Sequence, residues 1–202
     1  LPATPEGFVF PPDSSLVLVV DGWRAPSLRV TGVQRDGLRA FLQKGGRVLL
    51  FGYATALASD LCDTERPVSE PLRWGFDART AMGRARLGCQ VVSGREPELF
   101  EGLVEGGAEH TYLFTGGEPC CVPLCSWRQG EPQQGEVLAR LATEIDGNLT
   151  RESAPVIVRW RVGAGEVLAC GLQPDFAHED ATLRENSLHF VRNCVQWLQR
   201  ER

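Results

Sequence analysis

Excess basic charge, long apolar runs, histidine and paired cysteine motifs are scarce or missing in this sequence. Lysine and arginine number 21 against 26 aspartates and glutamates, a net charge of −5. That balance excludes a phosphate-binding surface as the main function, and no nucleic-acid partner is expected. No apolar run approaches the ~18 residues needed to cross a bilayer, so no membrane span is expected. No secretory leader is visible, and Leu1 is not an initiator residue, so the chain reads as a processed or excised piece and its compartment is not legible. There is no internal repeat, no low-complexity stretch and no cofactor-binding motif, and no cofactor is expected. The three histidines are His110, His178 and His189. The C-x2-C pairs of a metal site are absent, so no metal is expected.

The 202 residues include 43% hydrophobic and 23% charged side chains. This suits a single domain with a real core. Seven cysteines, an odd number, leave at least one thiol unpaired. Cys170 and Cys194 sit in apolar runs as small hydrophobes. Cys120, Cys121 and Cys125 cluster in GGEPCCVPLC, where a disulfide or plain thiols are expected ahead of a metal. Asn148-Leu149-Thr150 is a glycosylation triplet, of a kind that arises often by chance.

The organising stretch is GGRVLLFGYATA, residues 45–56. Residues 47–51 form an apolar run without alternation, the pattern of a strand buried on both faces of a parallel sheet. A small-residue turn and a short helix over 56–61 follow. Strand, tight turn and helix make the geometry of a nucleophile elbow, with Ala54 expected at its tip. Before it, residues 16–20 read as a buried strand and 33–44 as an amphipathic helix with Val33, Leu38, Phe41 and Leu42 on one face. Lys44 and the paired glycines stop that helix, and one of Gly45 and Gly46 is expected to have φ > 0. Residues 1–15 read as an entry segment, 62–85 as a loop and 119–134 as an excursion or lid. Strands are expected over 86–92, 112–115 and 137–143, then a hairpin of 155–162 with 166–172. A closing helix over 183–199 turns Leu188, Val191, Val195 and Leu198 inward.

Three stretches taken in order resemble the class I glutamine amidotransferase-like superfamily. LVLVVDGW is similar to the strand and loop that carry its oxyanion hole. LRAFLQKGGRVLLFGYATA is similar to its helix, paired glycines, strand and elbow. GAGEVLACGLQPD is similar to the hairpin and strand that end in His-Pro-Glu in active members. The resemblance implies a flavodoxin-like three-layer α/β sandwich, its sheet mostly parallel, with an antiparallel hairpin near the carboxyl terminus. It implies a lost active site as well. Active members need a thiolate activated by a histidine that a carboxylate orients. Here those positions hold Ala54, Gln173 and Asp175. The βαβ unit expected before Leu16 is missing or shortened. The segment from EVLARLATE to VLACGL is also similar to the trimerisation domain of bacterial β-galactosidases and related non-catalytic modules of carbohydrate-active enzymes. A comparably degenerate version stands at the amino terminus of eukaryotic biotin–protein ligases, and the glycosidase-associated reading ranks first.

These residues imply a non-catalytic module mediating assembly or ligand contact within a larger protein. Its partners would be other domains of the same chain or subunits of an oligomer. Two alternatives stay open: an enzyme rebuilt from Asp21, Tyr53, Asp175 and His178, and a small-ligand or sugar-binding module at the strand ends. Asp21, Trp23, Tyr53 and His178 mark that candidate crevice. Trp23 and Tyr53 either stack on a ligand or plug the space, and His178 is either a displaced base or a solvated loop histidine. Trp160 and Arg161, on the supposed edge hairpin, are the candidate interface residues.

Overall fold

A glycine-capped helix feeding an all-apolar strand sets the frame. In the computed structural model, residues 3–4, 7–8, 16–21, 31–72, 85–92, 94–95, 97–117, 122–127, 131–145 and 147–200 are described. Two short strands, Ala3–Thr4 (β1) and Gly7–Phe8 (β2), pair with each other. Leu16–Asp21 (β3) is followed by helix Gly32–Gln43 (α1) and strand Arg47–Gly52 (β4). Thr31 starts α1 with a capping box: its hydroxyl accepts the Gln34 N–H at 3.3 Å and its own N–H donates to Gln34 Oε1 at 3.0 Å. At the other end Gly45 has φ 92°. The Gly45 N–H reaches the Leu42 carbonyl and the Gly46 N–H the Phe41 carbonyl, both at 3.0 Å. That is a Schellman ending, and it meets the expectation of a positive φ in the glycine pair.

A 3₁₀ turn, Tyr53–Ala56, leads to helix Leu57–Cys62 (α2). Strands Val68–Leu72 (β5), Ala85–Val91 (β6), Thr111–Gly117 (β7), Val122–Ser126 (β8), Glu136–Ile145 (β9), Asn148–Val162 (β10) and Gly165–Cys170 (β11) follow, with a 3₁₀ turn Pro97–Phe100 after β6. Helix Ala181–Gln199 (α3) closes the chain.

The main sheet runs β3-β4-β11-β10-β9-β6-β7. Only β3 with β4 and β4 with β11 are parallel, whereas the four remaining pairings are antiparallel. This overturns the expected mostly parallel, flavodoxin-like sandwich. The βαβ logic holds around β4, but β9, β10 and β11 are joined by two hairpins, which can link only antiparallel neighbours, and β6 and β7 add to β9 antiparallel through longer connections. The expected loop over 62–85 and the lid over 119–134 also contain structure, since β5 and β8 pair antiparallel with Pro71 opposite Pro123.

Helices cover both faces of the sheet. Leu38 and Leu42 of α1 and Leu57, Ala58 and Leu61 of α2 pack with Val48, Leu50, Val167 and Ala169. On the other face Phe190, Cys194, Trp197 and Leu198 of α3 pack with Leu49, Phe51, Leu168 and Cys170. Two faces differ from expectation. Val33 is 62% exposed and Gln34 takes its inward place in α1. In α3, Leu188 is 47% exposed, while Asn186 and Ser187 are buried. Asn186 Nδ2 donates to the carbonyls of Val104 and Leu113 at 2.9 and 3.1 Å, and Ser187 Oγ to that of Phe114 at 2.7 Å. Polar side chains that satisfy strand and loop carbonyls displace the leucine that hydrophobic periodicity would place inside.

Candidate functional site

Strand β10 lies between β11 and β9, inside the sheet, so the expected edge hairpin is not an edge. Trp160 is 2% exposed. Its indole N–H donates to the Gln133 carbonyl at 3.1 Å and its ring lies 5.4 Å from that of Trp127. Trp160 is therefore spent inside the chain, and only Arg161 of the expected pair is exposed. The neighbouring Arg159 is buried as well. It pairs with Glu136 and lies 5.2 Å over the Trp197 ring. From Ile157 to Val162 the strand keeps an unbroken register with β11, and the face that carries Arg159 is covered by Trp197 of α3.

The carboxyl ends of β3, β4 and β11 form the expected crevice edge. The register sets Asp21 beside Gly52 and Cys170 beside Phe51. Gly52 has φ 58° and ψ −131°, a conformation that residues with a Cβ adopt only under strain. In a nucleophile elbow the nucleophile itself holds the strained position. In this turn the strained position is Gly52, two residues before the Ala54 read from sequence. Ala54 falls within the 3₁₀ turn, fully buried beside α2, and Tyr53 is 5% exposed. The Thr55 hydroxyl ties the turn down by donating to the Gly52 carbonyl at 2.7 Å.

Gln173 follows β11, and its Oε1 is buried without a hydrogen-bond partner. Pro174 beside it is buried. Asp175 is engaged locally: its carboxylate accepts the Ala177 N–H at 3.0 Å and its own N–H donates to Ser187 Oγ at 3.1 Å. His178 Nδ1 accepts the Asp180 N–H at 2.9 Å, which in the neutral ring puts the proton on Nε2. Its carbonyl accepts from Arg184 at 2.8 Å. Asp180 caps α3 by accepting from the Thr182 and Leu183 N–H groups and pairs with Arg86 at 2.9 Å. Trp23 and the side chain of Asp21 lie outside the described residues.

None of the four thiols whose side chains are described is poised to attack. Cys62, Cys89, Cys170 and Cys194 are free and buried. Burial, with Asp63 adding to it and Arg39 opposing, pushes the Cys62 thiol up to about 12. Burial likewise pushes Cys170 up to about 12 and Cys89 and Cys194 well above the ordinary thiol range. A thiol is a nucleophile only as the thiolate. Cys120 and Cys121 are outside the described residues. Among the described residues no group of three histidine, cysteine or acidic side chains could hold a metal ion, and no described helix is long and apolar enough to cross a membrane.

A cavity of about 440 Å³ opens at the β6–β7 end of the sheet, away from the elbow. Val91, Pro97, Phe100 and Tyr112 give it apolar walls, Arg95, Glu98 and Glu101 supply its charge, and His110 lines it beside them. Phe100 stacks on Tyr112 at 5.5 Å, with 14° between the rings. Burial, then Glu105 and Cys89, raises the Tyr112 phenol above its ordinary value, which keeps it neutral. Sequence reasoning missed this site because its residues come from β6, β7 and two turns, and no local motif joins them.

No family model and no curated protein matches the chain. Solved structures do. A cytoplasmic protein from Salmonella typhimurium is similar at 12% identity and a TM-score of 0.49, over 93% of this chain and 72% of that one. A ThuA-like protein from Bacteroides uniformis is similar at 15% and 0.46, over 83% of this chain and 64% of that one. A β-galactosidase from Bacillus circulans is similar at 11% and 0.45, where 91% of this chain spans 21% of the enzyme.

Proposed function

We propose that the chain is a non-catalytic, amidotransferase-like module that mediates assembly or ligand contact within a larger protein, with carbohydrate-active enzymes the first parents to test. The observation that carries this reading is Gly52 at the strained position of the elbow turn. A glycine offers no nucleophile where the fold would present one. The buried thiols and a glutamine at position 173 support the same reading, since neither supplies a thiolate or a base. The partners would be other domains of the chain or neighbouring subunits.

Incubation with glutamine and measurement of ammonia tests the loss of chemistry. No release above the buffer rate is expected. Turnover that disappears when cysteines are replaced would overturn the reading.

A further inference from the structure

The cavity between the Pro97–Phe100 turn and strands β6 and β7 combines an aromatic wall with an uneven charge inventory. Arg95 is engaged with Glu136 at 3.4 Å and also donates to the Val137 carbonyl. His110 stands between Glu105 at 3.7 Å and Glu109 at 3.4 Å. Glu98 pairs with Arg200 at 3.3 Å. Glu101, on the cavity wall, has no ion-pair partner among the described residues. Five carboxylates thus stand in and beside the cavity against two guanidinium groups and one imidazole, and both guanidiniums are already paired. An anionic ligand would meet repulsion and no free cation among the described lining residues. A cationic one would gain a carboxylate beside an apolar wall, the combination that suits an ammonium group on an apolar body.

We propose that this cavity binds an organic cation, an ammonium group carried on an apolar or aromatic body. The body packs against Val91, Phe100 and Tyr112, and the ammonium points to Glu101. The site is separate from the elbow, so its failure would leave the absence of glutaminase activity standing.

Phenethylamine is the probe, and phenylacetate, the same ring with the opposite charge, is the control. Amide chemical shifts of the whole chain are followed by nuclear magnetic resonance during titration. Saturable shifts confined to residues 98–101 and 110–112 are expected with the amine, and none with the acid. Glu101→Gln should weaken the amine about fivefold, the worth of one unit charge at about 4 Å in water, with an unchanged melting temperature. Glu101→Lys should abolish it. Equal binding of amine and acid, saturable shifts elsewhere, or no saturation by about 10 mM amine would each overturn the proposal. So would wild-type affinity in Glu101→Gln.

Discussion

Gly45 and Gly52 hold backbone conformations that other residues resist, and each does a different job. Gly45 ends α1 and aims the chain into β4. Its neighbours leave room for a side chain, since an added Cβ would lie 3.8 Å from the Ala164 carbonyl oxygen. The cost of Gly45→Ala is therefore backbone strain alone. A loss of about 1 kcal/mol or more is expected in urea denaturation, and an unchanged midpoint would refute the strain. Gly52 matters for what it lacks. The resemblance to an amidotransferase elbow implied a tip at Ala54, while the strained backbone lies at Gly52. The one glycine in FGYATA, the residue that tolerates φ > 0, is the local signal for the strained position.

At the level of elements, sequence and structure agree where the information is local. The glycine stop after α1, the unbroken apolar run of β4 and the hairpin of β10 with β11 all act within a few residues. Strand direction is not local. Whether β9 lies parallel or antiparallel to β6 depends on which surfaces bury one another across some fifty residues, and no periodicity carries that. Strands β5 and β8 escaped notice because each contains a proline, which reads as a breaker but is tolerated in a two-stranded sheet with open edges. The misplaced tryptophan has the same origin, since alternation cannot tell an interior strand from an edge strand. The structure separates the two candidate interface residues sharply. Trp160→Ala should cost about 3–5 kcal/mol, as removal of a buried ring does. Arg161→Glu should stay within about 0.5 kcal/mol. Thermal melting of the two single variants decides it, and similar melting temperatures would contradict the burial described above. The roles that the resemblance implies for Gln173 and Asp175 rest on order along the chain, and the structure adds only a buried, unpartnered Gln173 Oε1 and the local bonds of Asp175.

For the molecule as a whole, the buried thiols couple stability to alkaline pH. An unfolded thiol ionises near 9.0, while Cys62 and Cys170 in the folded chain hold their protons to about 12. Between those values the folded state binds more protons than the unfolded one, so stability falls as pH rises. The contribution is complete below 9.0 and is lost progressively up to about 12. Urea midpoints should be level around neutrality and decline across that window, and replacing Cys62 with alanine should flatten the decline. A midpoint that rises there would reverse the sign. The seam between β4 and β11 has a consequence of its own. Arg47 pairs with Glu166, some 120 positions further along. A ribosome adding about 5–20 residues per second needs roughly 6–24 s to cover that distance. Throughout that interval the nascent chain carries Val48 to Phe51 with one flank unzipped, the moment at which a chaperone or a sister polypeptide on the same message would find it.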